Sequence, residues 1–351
     1  MNLLLLAASL LLPPHEAVEE ARLFQTIRSL PIKRSPLPDD EHRIGLNRAL
    51  TLLTDELRSL GHAPRLQDFV WTFPLRRLNA PGTTDTNTPP PDPADATFTN
   101  IIVDLPGRDS PHEVILVSAH YDAVPHCPGA DDDGTGVAAV MELARVLKNR
   151  PTRRTIRLVL FTLEEAGLIG SNHYVTDWVK QSKLPGPDNQ PRERIIGMIS
   201  LEMLGYFSDE PDSQKSPIPK LEGVFDPPTI GDSICIVGIA RHQSFSGPLA
   251  KAMKSAAPDL KITLVDFLPV PVPDMTRSDH RPFLMAGLPG VMITDTANFR
   301  NPHYHRPTDT IDTLDPRRFT LVVRAVAGSV YELAGPLADP AVIHPKPSEQ
   351  P

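Results

Sequence analysis

The 351-residue sequence has little cysteine, few aromatic residues and no excess of basic charge. Its two cysteines, Cys127 and Cys235, exclude a disulfide scaffold and a four-cysteine zinc site. Aromatic residues make up 5% of the chain, which leaves few rings for stacking on bases. The formal net charge of −8 has the wrong sign for a nucleic-acid-binding protein. We therefore expect no nucleic-acid partner.

Long apolar runs are also missing. The run at residues 3–12 ends at Pro13 and Pro14 and is shorter than the roughly 20 residues that span a bilayer. It has the length of a signal-peptide core, but no Lys or Arg precedes it and no clear cleavage site follows. We expect no stable membrane insertion. Export to the periplasm or the medium is favoured, while a packed N-terminal helix, a mis-assigned start codon and a cytoplasmic location stay open.

Proline is abundant, with 40 of 351 residues against an ordinary share of about 5%. This density predicts long irregular connections around a regular core. The domain organisation that we expect is an apolar segment at 1–14, one domain at 15–340 and a loose tail at 341–351. Pro-rich insertions at 80–95 and 207–231 interrupt that domain.

Short apolar runs alternate with helical patterns along most of the chain. Strands are predicted at 64–74, 99–104, 113–119, 155–162, 195–201, 233–238, 261–267 and 289–294. Helices are predicted at 16–30, 44–61, 135–149, 168–182, 245–257 and 316–334. This alternation predicts an α/β fold, in which helices cover both faces of a mostly parallel, mixed central sheet.

Polar side chains cluster directly after the predicted strands, at the sheet edge where open α/β folds bind ligands. His120, Glu165 and Glu202 follow three strands, Asp132 lies in a tight turn before a helix, and His305 comes far downstream. Two imidazoles and three carboxylates suit a divalent metal, zinc first. The three carboxylates and one hydroxide would neutralise two Zn²⁺ ions, whereas one ion would leave a net negative charge. The inventory therefore favours two zinc ions, about 3.5–4 Å apart, that share a bridging hydroxide.

Neighbouring residues supply further chemistry. Asp122 lies two positions after His120 on the same strand face, so its side chain could hold the ring nitrogen that the metal does not use. Glu164 and Glu165 are adjacent and point in different directions, so one can bind metal while the other acts as general base. Asp132 is the best candidate for the carboxylate that bridges both ions, because its short side chain sits in an Asp-Asp-Gly turn.

Six ordered motifs between about residues 98 and 334 resemble the family of co-catalytic di-zinc exopeptidases. Its members include bacterial leucyl aminopeptidases, to which this chain is most similar, glutamate carboxypeptidase II and the glutaminyl cyclases. The motifs are His120-Tyr121-Asp122, Gly129-Ala130-Asp131-Asp132-Asp133-Gly134-Thr135-Gly136, Glu164-Glu165-Ala166-Gly167-Leu168-Ile169-Gly170-Ser171, Glu202-Met203-Leu204-Gly205-Tyr206, Ser278-Asp279-His280 and Tyr304-His305-Arg306-Pro307-Thr308-Asp309-Thr310.

The resemblance implies the three-layer sandwich of the zinc exopeptidases and a role for each matched residue. It makes His120 and Glu202 ligands of one zinc ion and Glu165 and His305 ligands of the other, with Asp132 between them. It also makes Glu164 the general base, Tyr304 a possible donor to the carbonyl oxygen of the tetrahedral intermediate, and Asp122 and Asp133 supports of the ligands. A cis peptide bond between Asp132 and Asp133 is implied as well.

The sequence departs from many bacterial aminopeptidases at one ligand, because it has Glu202 where they have Asp. Glutamate is one methylene longer, so it can still bind metal but changes the space beside it. The roles of His280, His126 and Cys127 cannot be read from the sequence. The last two lie in a Pro-flanked loop, which favours the wall of a pocket over metal binding.

The first functional hypothesis is a zinc-dependent aminopeptidase acting on peptides. The bridging hydroxide would attack the N-terminal peptide bond, and Glu164 would shuttle the proton. A glutaminyl cyclase, which typically works with one zinc ion, and a carboxypeptidase are the alternatives, because a carboxylate-binding arginine cannot be assigned. A non-catalytic binding ectodomain should have lost ligands or the base, and this chain keeps them all. No obligate protein partner is evident.

Overall fold

A mixed sheet of eight strands forms the centre of the chain in this computed structural model, which describes residues 12–37, 40–72, 95–182 and 192–338. The insertion predicted at 80–95, except for Asp95, the tail at 341–351 and most of the apolar segment at 1–14 lie outside these residues, and the division into domains stays a prediction. The strands are β1 (Arg65–Thr72), β2 (Asp95–Leu105), β3 (Ser110–His120), β4 (Arg154–Phe161), β5 (Arg194–Glu202), β6 (Ser233–Val237), β7 (Lys261–Val265) and β8 (Gly290–Thr294).

The strand order is β1-β2-β4-β3-β5-β8-β6-β7. The β4–β3, β3–β5, β5–β8 and β6–β7 pairs are parallel. The β1–β2, β2–β4 and β6–β8 pairs are antiparallel. The prediction of a mostly parallel, mixed sheet is therefore confirmed. Strands β6 and β8 are buried throughout, as their mainly apolar sequences predict, and β4 is buried except at its first residue, whereas edge strand β1 is mostly exposed.

Helices cover both faces of this sheet and make the expected three-layer sandwich. They are α1 (Glu20–Ser29), α2 (Asp40–Ser59), α3 (Gly134–Leu147), α4 (Ile169–Ser182), α5 (Gln243–Ala256), α6 (His280–Met285) and α7 (Pro316–Ala334). One core packs α1, α2, α3, α5 and α7 on one face, and a smaller core packs α4 and α6 on the other. Within the described ranges, no helix combines the length and the apolar character needed to cross a bilayer.

Two helical details differ from the sequence patterns. The first helix begins at Glu20 rather than near residue 16, because the Pro13–Ala17 segment forms a turn in which the Ala17 amide donates to the Pro13 carbonyl. Helix α6 was not predicted, since six residues with Pro282 in their middle carry no helical period.

The order of the connections places the ends of the central strands together. From β3 the chain passes through α3 to β4 on one side, and from β4 through α4 to β5 on the other side of β3. A crevice therefore opens at the carboxyl ends of these parallel strands, as at the switch point of other open α/β sheets.

A buried arginine connects the α1–α2 loop to the loop after β3. The Arg34 guanidinium is 1% exposed. Its Nε donates to the Tyr121 carbonyl at 3.0 Å, and its terminal nitrogens donate to the carbonyls of Pro128 and Gly129 at 2.5 and 2.6 Å. Burial lowers the pKa of Arg34, while the carboxylate of Asp309 opposes that shift. The N-terminal part of the chain therefore contributes directly to the turn that precedes Asp132.

Replacing this arginine should destabilise the fold. We expect Arg34→Met to lower the free energy of unfolding by about 2–4 kcal/mol, because it leaves several buried carbonyl oxygens without a donor. Denaturant titration followed by circular dichroism measures this loss. The matched control is Arg48→Met on the exposed side of α2, which should change stability by less than about 0.5 kcal/mol. Equal effects of the two substitutions would contradict the role given to Arg34.

Candidate active site

The ends of β3, β4 and β5 bring four of the predicted site residues to one crevice. His120 is the last residue of β3 and Glu202 the last of β5, while Glu164 and Glu165 follow β4. Leu163, two residues after β4, and Met203, directly after β5, have positive φ angles of 58° and 54°. Left-handed backbone is costly for residues of this kind. At these two positions it turns the chain sharply beside Glu164 and Glu202, whose side chains line the crevice.

Asp132 lies between two imidazoles. Its Oδ1 is 3.2 Å from His120 Nε2, and its Oδ2 is 3.1 Å from His305 Nε2. Each imidazole also has a second carboxylate: Glu202 Oε1 lies 3.7 Å from His120 Nε2, and Glu165 Oε2 lies 3.3 Å from His305 Nε2. The structure thus brings all five predicted ligands together in two groups that share Asp132.

The donor atoms of this cluster fit a divalent metal. His120 Nε2, Asp132 Oδ1 and Glu165 Oε1 are buried and have no hydrogen-bond partner in the described part of the chain. Candidate ligand atoms of His120, Asp132 and Glu165 all lie within 4.8 Å of one another. Imidazole nitrogens and carboxylate oxygens at such spacing are what zinc sites use. Buried polar atoms normally have a partner, so a cation is the natural partner for these three.

Asp133 joins three elements around the cluster. Its Oδ1 accepts from the Gly136 amide at 3.1 Å, which caps α3, and from the Met203 amide at 3.2 Å, while its Oδ2 accepts from the His120 amide at 3.1 Å. Gly136 is required here, since a Cβ would lie 2.4 Å from Asp133 Oδ1. These three bonds join Asp133 to α3, to the end of β3 and to the turn after β5. Candidate ligand atoms of Asp133, His120 and Glu202 also lie within 4.8 Å of one another. The Asp132–Asp133 peptide bond is cis, as the resemblance implied.

Asp122 supports both the imidazole and the glutamate pair. His120 Nδ1 lies 3.2 Å from the Asp122 carbonyl oxygen and 3.6 Å from Oδ1. The Asp122 carboxylate accepts from the amides of Glu164 and Glu165 at 3.1 and 3.2 Å. The spacing of the two residues predicted a contact between the Asp122 carboxylate and the His120 ring. In the structure, the shortest contact to the ring comes from the backbone, and the carboxylate fixes the turn after β4.

Two further residues hold ligands and were not found from the sequence. Asp309 accepts from the amides of Asp131 and Asp132 at 2.9 and 3.2 Å, so it fixes the bridging turn from a loop about 180 positions away. Ser278 donates to Glu202 Oε2 at 2.7 Å. Both stand in the quoted motifs, but their types and spacing gave no sign of these partners.

The three residues whose roles were left open lie outside the ligand cluster. His280 is buried, and its Nε2 lies 2.7 Å from the Met275 carbonyl, which holds the loop before α6. Cys127 is buried with its Sγ 3.8 Å from Asp309 Oδ2. His126 is exposed, and its ring contacts that of His42 edge-on.

Crowding of buried carboxylates dominates the electrostatics of the crevice. Burial raises the pKa of Glu165 to about 7, and the Asp132 carboxylate adds to that rise. Burial, with the nearby Glu202 and Glu165 carboxylates, raises the pKa of Glu164 well above its ordinary value. Burial alone would lower the pKa of His305, but Asp132 and Glu165 raise it to about 10. All these shifts have one meaning: positive charge is strongly favoured at this point.

A cleft and an adjoining cavity open beside the cluster. The cleft, of about 610 Å³, is lined by Glu164, Tyr304 and His305 among others. The Tyr304 ring stacks on the His305 ring with centroids 3.8 Å apart and planes at 22°. The cavity is mostly apolar and begins at Glu202, and its walls include Ile218, Phe225, Val237, Val265, Met275 and Met292. The cleft and the cavity therefore meet at Glu202.

Comparison with known proteins places this site in a family. The model of peptidase family M28 matches residues 100–330. The chain is 33% identical over 243 residues to the protein YfbL of Escherichia coli, a match that covers 67% of this chain and 71% of that protein. It is 29% identical over 229 residues to aminopeptidase YwaD of Bacillus subtilis, which covers 63% of this chain but only 41% of YwaD.

The solved structure of BSAP, a zinc aminopeptidase from Bacillus subtilis, shares the fold. The TM-score is 0.62 at 19% identity, and the superposition covers 90% of this chain and 95% of the other. At that identity the likeness concerns the fold alone. The family match spans about two thirds of the sequence and contains all the motifs quoted above. It confirms the resemblance that those motifs indicated: the chain belongs to peptidase family M28.

Proposed function

We propose that this chain is a zinc-dependent aminopeptidase that removes the N-terminal residue of peptides. Family membership gives peptidase activity of the metallo-exopeptidase class, and YwaD and BSAP are named as aminopeptidases. The observation that supports the proposal most is Asp132, whose two carboxylate oxygens each face a different imidazole. One carboxylate that can serve two cations is what a two-zinc peptidase requires.

The chain's own residues divide into two ligand sets. His120 and Glu202 would hold one zinc ion, His305 and Glu165 the other, and Asp132 would contact both. Zinc, when bound, polarises a carbonyl and lowers the pKa of water, which provides a nucleophile at neutral pH. Asp122, Asp133 and Asp309 orient these ligands through the contacts described above, as the partners of metal ligands commonly do.

Glu164 would move the proton. It is buried beside the ligands, with Oε2 4.0 Å from His120 Nε2, and its side chain lines the cleft where the peptide bond would lie. Its neighbour Glu165 faces His305 instead. A carboxyl group whose neutral form is favoured by burial can accept a proton and then donate it to the leaving amine. Tyr304, whose ring stacks on that of His305, would donate a hydrogen bond to the carbonyl oxygen of the scissile peptide bond.

The apolar cavity supports a preference for apolar N-terminal side chains. Ile218 and Phe225 come from the Pro-rich insertion at 207–231, and Met275 comes from a second Pro-rich connection before α6. Both segments wall the cavity beside Glu202. A mostly apolar wall selects apolar over charged side chains, because a charge entering it would lose its hydration.

Substrates should distinguish this proposal from its alternatives. We expect turnover of leucine and phenylalanine anilides at least about tenfold faster, as kcat/KM, than of aspartate or lysine anilides. N-acetyl-leucine anilide should not be cleaved, and N-terminal glutaminyl peptides should be hydrolysed rather than cyclised. Cleavage of N-blocked peptides would favour a carboxypeptidase or endopeptidase, and release of pyroglutamyl product would favour a glutaminyl cyclase. Either result rejects the aminopeptidase.

Zinc content should report the two-cation arrangement. We expect close to two zinc ions per chain by plasma mass spectrometry after dialysis, with activity lost to a chelator and restored by zinc. Asp132→Asn should lower zinc content and activity together. The matched control is His303→Ala, since His303 Nδ1 faces the Thr308 hydroxyl at 2.9 Å, away from the ligands. One zinc ion per wild-type chain, unaffected by Asp132→Asn, would remove the two-zinc proposal.

Substitutions of the two adjacent glutamates should differ in their effects on kcat and on zinc content. Glu164→Gln is expected to reduce kcat about 10²–10⁴-fold while zinc content stays near two, because only the proton acceptor is lost. Glu165→Gln should reduce zinc content as well, because it removes a ligand. Measuring kcat and bound zinc on both variants tests the assignment. Loss of zinc from Glu164→Gln with retention in Glu165→Gln would show that the two roles are reversed.

A further inference from the structure

Arg277 lies where the cleft meets the apolar cavity, and it lines both. Its Nη2 donates to the Tyr304 hydroxyl oxygen at 2.7 Å, and its Nη1 donates to Asn298 Oδ1 at 2.7 Å. Asp274 Oδ1 lies 3.6 Å from Nη1 on the other side. The guanidinium also sits 5.4 Å from the centre of the Tyr304 ring. Arg277 is thus held by Asn298 and Asp274 while it holds Tyr304.

The direction of this hydrogen bond decides what Tyr304 can do. A guanidinium carries only donors, so the phenol oxygen must accept from Arg277. The phenol hydrogen is therefore not used in this contact and remains available to an acceptor in the cleft. Because the Tyr304 ring is stacked on His305, the position of the ring is fixed as well. Ring and hydroxyl are therefore fixed by different neighbours.

We propose that Arg277 is a positioning residue that keeps the Tyr304 hydroxyl oriented as a hydrogen-bond donor toward the substrate carbonyl oxygen. This inference rests on the proposed function, in which that oxygen gains negative charge during the reaction. The positive charge of Arg277 polarises the phenol O–H and so strengthens its donation as the charge develops. Preorganised donors of this kind lower the barrier because they need no reorientation during the reaction.

The same contacts fix the orientation of the Arg277 guanidinium. Each terminal nitrogen donates one of its two hydrogens to a side chain, Asn298 or Tyr304. A role in binding a substrate carboxylate through the remaining N–H groups is therefore a separate hypothesis, which the kinetics below distinguish.

Kinetics on four variants test the proposal: Arg277→Gln, Arg277→Lys, Tyr304→Phe and the double variant Arg277→Gln/Tyr304→Phe. With leucine anilide, Tyr304→Phe should lower kcat about 10²-fold, as for loss of one such donor. Arg277→Gln should lower kcat about tenfold and change KM less than about threefold. Arg277→Lys should lower kcat less than Arg277→Gln does, because lysine keeps the charge but cannot contact Asn298 and Tyr304 together. The double variant should be no slower than Tyr304→Phe, which is the signature of two residues that act as a unit.

Bound zinc and thermal unfolding of each variant separate positioning from damage to the fold, and both should match the wild type. Arg317→Gln is the matched control. It removes the same formal charge from the exposed side of α7, and Arg317 lines neither the cleft nor the cavity, so kcat should stay within about twofold. Wild-type kcat in Arg277→Gln, or additive losses in the double variant, would overturn the proposal. So would a rise in KM confined to dipeptides with a free carboxylate. A wild-type chain that hydrolyses no aminoacyl anilide would instead reject the proposed function.

Discussion

Mutual repulsion among buried carboxylates is the constraint around which this molecule is built. Asp132, Glu164 and Glu165 are largely buried within one crevice, and Asp122 and Asp133 lie fully buried beside it. Burial and repulsion between neighbouring carboxylates raise the pKa of Glu164 and Glu165. The fold must therefore supply the energy to hold them together, and a cation at their centre would relieve the repulsion. The local structure around the site reduces this repulsion through hydrogen bonds.

Most of these hydrogen bonds are donated by backbone amides. Asp122, Asp133 and Asp309 accept hydrogen bonds from seven main-chain N–H groups in total. Six of these amides belong to the predicted ligands or to residues beside them, and the seventh, of Gly136, lies in the first turn of α3. A hydrogen bond donated by an amide stabilises the charged form of a carboxylate and so opposes the effect of burial. The supporting aspartates thus stabilise their own burial while fixing the strand ends, and the ligand side chains keep their lone pairs free.

Much of this could be predicted from the sequence, for physical reasons. The buried parallel strands are visible as apolar runs, and polar residues directly after them must meet at one edge, which located His120, Glu164, Glu165 and Glu202. His305 follows no such rule, because a long loop can end anywhere. Its residue type made it a candidate, and the resemblance gave it a place among the ligands. Arg34, Asp309 and Arg277 were missed because each acts through a hydrogen bond to a segment distant in the chain. Neither residue type nor spacing records such a partner. The short helix α6 was missed for lack of a period.

The walls of the apolar cavity have a different origin from the crevice. The reacting groups stand on the ends of central strands, whereas Ile218 and Phe225 stand on a connection that is pinned to the sheet by Gln214, whose side chain contacts Arg300 and Thr296. Rigid strands and an exchangeable loop can change independently in evolution. A change in the length or the side chains of that loop would alter which N-terminal residues the cavity accepts. The residues on the strand ends would stay the same.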